Sequence, residues 1–259
     1  MPLLPFKGYN KNLILMKTLT IIPSRLSATR LPGKPLLKIR GLSIISHVFK
    51  RALEANIGDV VVATEDQEIV DEVIENGGRA ILTSKKHKTG TDRIYEALLK
   101  LEIKNLDLIM NLQGDEPAIN IEDIINLNEK MIRFQSKMGT LAAEIKDEKD
   151  LKNENIVKVI TKKKITEGQF SEAKTFLRNS SKMNNLYHHI GIYCYSTETL
   201  EKFVKLNQSK NEKENKLEQL RALDNDITIN VGLAKSAPKG IDTQEDYLAL
   251  KKNMEYKII

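Results

Sequence analysis

Short apolar runs alternate with amphipathic segments through the first half of the chain, and this alternation constrains the fold more than any other feature. Residues 19–22 read as a strand that breaks at Pro23, and residues 59–63 place an unbroken V-V-V-A run after Asp59. Such continuous apolar runs mark strands covered on both faces. Between them, residues 43–55 put Ile44, Ile45, Val48, Phe49 and Ala52 on one helical face. A helix over 66–76, stopped by Gly77 and Gly78, leads to a strand over 79–82. A helix over 91–101 aligns Ile94, Ala97, Leu98 and Leu101, a strand over 106–112 runs into Q-G-D-E-P, and a helix follows over 121–134. Strands and helices at this spacing predict right-handed crossovers and a Rossmann-like α/β fold, with a mostly parallel central sheet flanked by helices.

Beyond residue 135 the pattern becomes strand-rich, with strands expected over 140–145, 156–161, 190–195 and 227–231. Helices are expected over 216–223 and 243–253, while residues 162–185 are polar and too weakly periodic to assign. The chain therefore reads as one domain over residues 17–259, with halves 17–135 and 136–259 and a smaller strand-rich lobe in the second. Residues 1–16 hold two prolines, no Arg and no small-residue cleavage site, so a disordered or non-native extension is expected there.

Composition narrows the function. A net charge of +6 invites a nucleic-acid partner, but the cations are mostly Lys interspersed with acids, and aromatic content is 5% with no Trp. That leaves little for base stacking, so no nucleic-acid partner is expected. No apolar run approaches the roughly 20 residues that span a bilayer, so no membrane partner is expected either. The single cysteine, Cys194, excludes an intramolecular disulfide and suits a reducing cytoplasm.

Three loops carry the chemistry. The first, P-S-R-L-S-A-T-R-L-P-G-K-P over residues 23–35, sets Arg25, Arg30 and Lys34 among Pro32, Gly33 and Pro35. Fixed cations and backbone N–H groups at a strand end suit a polyphosphate, although a solvated basic turn would read the same way. Lys34 is followed by Pro35 rather than a helix-opening Ser or Thr, so this is no Walker A loop, and no G-x-G-x-x-G string exists in the chain. The second, K-T-G-T-D-R over residues 88–93, offers close backbone approach at Gly90 and a helix cap at Thr91. The third, N-L-Q-G-D-E-P over residues 111–117, presents Asp115 at a strand end, where Mg²⁺ commonly takes one or two carboxylates. His188 and His189 are adjacent on a strand and so face opposite sides, which argues against a shared metal.

These strings resemble the CMP-ulosonic acid synthetases, above all those acting on 3-deoxy-manno-octulosonate (Kdo). The resemblance runs from about residue 17 to 247, strongest up to Pro117, with Ser24 where Ala is usual, Ala28 where Ser is usual, Glu65 for Asp and Thr89 for Ser. It implies a cytoplasmic, homodimeric enzyme that moves CMP from CTP to Kdo for lipopolysaccharide synthesis. Another ulosonic or amino-ulosonic acid is the near alternative, and a non-catalytic nucleotide sensor the distant one. The nucleotide would meet Pro23, Arg25, Thr29, Arg30, Lys34, Thr89, Gly90, Thr91 and Arg93. Mg²⁺ would be held by Asp115 and by Asp242 in G-I-D-T, and Arg25, Lys34, Asp115 and Asp242 would form the catalytic set. The sugar acid would meet Gln113, His189 in H-H-I-G-I-Y, Glu218 and Gln219 in L-E-Q-L-R, and Arg178, whose fork suits a carboxylate. The second half departs more from the family pattern: Lys210 replaces a Pro, Asn215 a Glu and His188 an Arg. Without the resemblance, Asp242 also reads as a helix cap and residues 217–221 as an ordinary amphipathic turn.

Overall fold

A computed structural model describes residues 16–27, 31–181, 183–237, 240–241 and 243–255. The first half lays down β1 (Thr18–Ser24), the β2–β3 hairpin (Lys38–Ile39, Leu42–Ser43), α1 (Ile44–Glu54), β4 (Gly58–Thr64) and α2 (Gln67–Glu75). It continues with β5 (Ala80–Leu82), α3 (Gly90–Leu101), β6 (Leu108–Asn111) and α4 (Ile121–Phe134). The second half adds β7 (Met138–Ala143), α5 (Lys149–Lys152), β8 (Lys158–Thr161), β9 (Phe170–Leu177), β10 (Leu186–Ser196) and α6 (Thr197–Val204). It ends with α7 (Lys210–Asn215), α8 (Leu220–Leu223), β11 (Asn230–Leu233) and α9 (Gln244–Glu255).

One sheet of order β5-β4-β1-β6-β10-β7-β11-β9-β8 runs through both halves. The first four strands are parallel, as the alternation predicts, and β10 then pairs antiparallel with both β6 and β7. Alternate residues of β1 face different helix layers. Leu19 and Ile21 pack with Ile94, Ala97 and Leu98 of α3, and Ile22 packs with Ile45, Val48 and Phe49 of α1. Each Leu, Ile, Val or Phe among them contributes roughly 1.5–3 kcal/mol on full burial.

That burial explains why β1 continues through Pro23 rather than breaking there. Pro23 keeps register with Ala63 of β4, while pairing with β6 ends at Ile21 and Asn111. The Ile21 carbonyl accepts from Leu112 N, so Pro23, two residues on, turns its missing donor towards the side β6 has left. The lost ladder bond would cost only about 1 kcal/mol in any case.

Two other expectations change. Residues 162–185 contain β9, whose inward Ser171, Ala173 and Phe176 are spaced by polar residues and a register shift against β8. With β8 also pairing to β10, strands β10-β7-β11-β9-β8 close into a ring, so this stretch is core despite its polarity. The helix expected over 216–223 is interrupted: Lys216 adopts a left-handed conformation (φ 53°) between α7 and α8. Among the described residues no helix is long and apolar enough to cross a membrane.

Candidate active site

Strands β1, β4 and β6 end side by side, and a cleft of about 340 Å³ opens over their carboxyl ends. In open α/β sheets this edge is where ligands bind. Pro23, Ser24, Arg25, Ser27, Leu31, Lys34 and Pro35 form one wall; Thr89, Gly90 and Arg93 form a second; Gln113, Gly114 and Asp115 form the floor. Three loops separated in sequence thus meet at one point, as their strings predict.

Local structure fixes Lys34. Gly33, at φ 70°, caps a single 3₁₀ turn over Lys34–Leu36, a backbone state that only glycine adopts without cost. Gly33 N donates to the Leu26 carbonyl, and Leu26 N donates to Asp66 Oδ2 at 2.7 Å, which ties the basic loop to the end of β4. Lys34 is 8% exposed, and its Nζ donates to Asp115 Oδ2 at 2.6 Å and to the Ile241 carbonyl at 2.5 Å. The Asp115 side chain is 37% exposed and keeps a face towards the cleft. Gly114 lets that turn lie on β1: a Cβ there would stand 2.9 Å from the Pro23 carbonyl oxygen. Arg25 is exposed at the rim. Thr29, Arg30 and Asp242 lie outside the described residues.

The second wall differs from expectation. Thr89, not Thr91, caps α3, its hydroxyl accepting from Asp92 N at 3.2 Å. Arg93 lines the cleft but is 3% exposed, with its guanidinium engaged by Glu65 and by Thr83 Oγ1. Its charge is therefore matched before any ligand arrives. Thr91 faces away from this cleft into a second, smaller cavity.

That cavity, about 40 Å³, is lined by Thr91, Asn111, Gln113, Tyr193, Tyr195, Phe203, Glu218 and Gln219. Gln113 belongs to both cavities and joins them, its Nε2 donating to the Gly191 carbonyl at 3.3 Å. Asn111 Oδ1, Tyr193 Oη and Glu218 Oε1 are buried here without a hydrogen-bond partner. Glu218 Oε1 has only the Arg221 guanidinium at 3.6 Å, and leaving a buried polar atom unmatched costs about 1–3 kcal/mol, so the recess suits a polar ligand. Burial pushes the Glu218 carboxyl above the usual carboxylate range, against the pull of Thr91, Thr89 and Arg221. It also pushes the Tyr193 and Tyr195 phenols up, so both remain protonated donors.

Glu218 and Gln219 reach the recess from a turn rather than from within a helix. Arg221, 3% exposed, forks onto Glu212 with contacts of 2.8 and 2.5 Å and lies 4.8 Å above the Phe203 ring. Although burial pushes the Glu212 carboxyl up, this fork holds it below its usual range. The pair fixes α7 against α8 and so presents the intervening turn.

Arg178 and His189 stand elsewhere. The Arg178 guanidinium donates to the carbonyls of Glu154, Asn215 and Lys216 at 3.0–3.3 Å, bracing loops instead of lining either cavity. His189 is 8% exposed and sits behind Tyr193, their rings 5.4 Å apart, with Nε2 3.0 Å from Thr140 Oγ1. Burial lowers it to about 3, so it is neutral. Asn111 and Tyr193 lie within N-L-Q-G-D-E-P and H-H-I-G-I-Y, which are the signals that point to them, whereas nothing in the sequence marks Phe203. A larger cleft of about 700 Å³, at the opposite end of the sheet, mixes Lys137, Lys162, Lys163 and Lys202 with Glu172, Glu198 and Asp226. None of the residues expected to carry chemistry lies in it.

A charged cleft over the carboxyl end of a doubly covered sheet, joined to a polar recess, defines a nucleotidyltransferase of the nucleotide-diphospho-sugar transferase fold. That fold is shared with apo UDP-glucose pyrophosphorylase, at a TM-score of 0.71 and 15% identity over 94% of this chain and 100% of that one. A solved CMP:2-keto-3-deoxy-manno-octonic acid synthetase complexed with CTP superposes with a TM-score of 0.84 at 33% identity, covering 93% of this chain and 100% of the other. The family model for cytidylyltransferases matches residues 19–229, and the chain belongs to that family. The 3-deoxy-manno-octulosonate cytidylyltransferase of Rhodopseudomonas palustris (strain BisB5) is 44% identical over 88% of this chain and 94% of its own length. The enzyme of the same description from Thermodesulfovibrio yellowstonii is 44% identical over 89% and 95%.

Proposed function

We propose that the chain transfers CMP from CTP to the anomeric hydroxyl of Kdo and uses Mg²⁺ to do so. The observation that carries this reading is the junction at Gln113, where a cation-lined cleft meets a recess of unmatched polar atoms. A bond forms between the acceptor oxygen and the α-phosphorus, the bond from that phosphorus to the β-phosphoryl oxygen breaks, the hydroxyl proton leaves, and pyrophosphate is released.

Arg25 and Lys34 face the triphosphate and offset the charge that grows on the leaving pyrophosphate. Lys34 is held by Asp115 and the Ile241 carbonyl, so its ammonium is oriented before substrate arrives. Gln113 and Gln219 supply neutral amides to the sugar acid, while Glu218 and Tyr193 match its hydroxyls. The resemblance adds Thr29 and Arg30, from the same sequence string, to the residues the nucleotide would meet.

The residues fit Mg²⁺. Asp115 lines the cleft half-exposed, and among the described residues no cluster of three acidic, His or Cys side chains forms a complete cage. One or two carboxylates completed by water and phosphate oxygens is the usual arrangement for this ion. Asp115, with Asp242, would hold it. When bound it polarises the α-phosphate and lowers the pKa of the attacking hydroxyl. The family resemblance supports a homodimer working in the cytoplasm and serving lipopolysaccharide synthesis.

The test is pyrophosphate release from CTP across a panel of sugar acids. Kdo is expected to exceed other ulosonic acids by about a hundredfold in kcat/KM, because unmatched buried polar atoms reject ligands that do not pair them. Preferred turnover of another ulosonic acid would reassign the acceptor. CTP binding with no release on any acceptor would make the chain a sensor.

A further inference from the structure

Thr91 stands out because it belongs to the nucleotide loop in sequence but not in space. It follows Thr89 and Gly90, which line the larger cleft, yet it is 1% exposed and lines only the recess. Its Oγ1 donates to Glu218 Oε2 at 2.9 Å, across 127 residues of chain. The other carboxylate oxygen, Oε1, has no hydrogen-bond partner, and Arg221 Nη2 is 3.6 Å from it.

We propose that Thr91 is a positioning residue for the acceptor sugar, holding the Glu218 carboxylate by one oxygen so that the other points at the acceptor, and that it makes no contact with the nucleotide. A carboxylate on a turn between two short helices has several rotamers within reach. The Thr91 bond selects one of them, and the first turn of α3 is a rigid place from which to do so. Among the described residues Thr91 supplies the hydrogen bond that holds the carboxylate, with Arg221 standing further off at 3.6 Å.

This inference rests on the reading of the recess as the acceptor pocket. Thr91→Val removes the hydroxyl at nearly constant volume, and Thr91→Ser keeps it. We expect Thr91→Val to raise the acceptor KM about tenfold or more while CTP affinity, by calorimetric titration, stays within about twofold of wild type. Thr91→Ser should rescue the acceptor KM to within about threefold, which a merely structural role for the side chain would not require. Should Thr91→Val fail to fold, Thr91→Cys, a weak donor of similar size, carries the same test. An unchanged acceptor KM in the hydroxyl-free variant, or an equal loss of CTP affinity, overturns the proposal. Glu218→Gln separates this from failure of the pocket reading. If Glu218→Gln raises the acceptor KM and Thr91→Val does not, only the positioning role fails. If neither variant moves it, the recess is not the acceptor pocket.

Discussion

The two cavities that meet at Gln113 differ in the groups they present. The larger one is open and ionic: Arg25 stands at its rim, and Lys34 of one wall pairs with Asp115 of the floor at 2.6 Å. The smaller is narrower and dipolar, with protonated phenols, amides and one carboxylate whose charge burial disfavours. A triphosphate brings its own charge, and fixed cations suffice to gather it. A sugar acid is distinguished by where its hydroxyls point, and only matched, desolvated dipoles read that. On the proposed reading, affinity for the nucleotide and selectivity for the acceptor are set by different physics in adjoining spaces.

Lys34→Ala should break the ionic side most severely. It removes a nearly buried cation and leaves Asp115 without its partner. Breaking a fully buried pair costs about 3–5 kcal/mol. Because Asp115 is more than a third exposed, solvent screens part of this, and stability should fall by less. Turnover should fall by at least about a hundredfold and CTP affinity should weaken, with acceptor binding little changed. Steady-state kinetics beside a melting curve check this, and an equal loss of acceptor affinity would mean that the cavities are not separable.

A smaller effect sharpens the dipolar side. His189 backs the recess through Tyr193, and burial lowers it from 6.5 to about 3. Between those values the unfolded chain binds one proton that the folded chain refuses, so this residue subtracts stability as pH falls through that window. The slope is roughly 1 kcal/mol per pH unit. In His189→Gln the dependence of unfolding free energy on pH, between about pH 6 and 4.5, should be shallower by that amount. An unchanged slope would show that the ring titrates as if solvated and that the wall behind Tyr193 is open.

The same contrast explains what the sequence disclosed. The ionic cleft is assembled from loops that leave adjacent parallel strands, so 23–35, 88–93 and 111–117 could be read as strings and then gathered by topology alone. The apolar runs of β1, β4 and β6 carried that topology without ambiguity. The recess is assembled from Thr91, Asn111, Tyr193 and Glu218, whose meeting depends on β10 inserting antiparallel beside β6 and on the α7–α8 turn. Neither is encoded locally: β9 hides in a polar stretch, and Lys216 breaks an apparent helix by adopting a left-handed conformation. Arg178 illustrates the hazard, since a forked donor suited to a carboxylate serves three backbone carbonyls. His189 illustrates another, since it shares a face of β10 with Tyr193 yet sits four positions short of it, where the ring meets Phe176 and Tyr193 rather than the recess.

The most direct test of the account follows the α-phosphorus itself. Wild-type protein with CTP, Kdo and Mg²⁺ should convert the triphosphate α-phosphorus resonance into that of a phosphodiester linking cytidine to the sugar acid, with one pyrophosphate released for each linkage formed. Loss of CTP to free CMP and pyrophosphate with no sugar linkage, or CTP left unchanged beside Kdo, would contradict it.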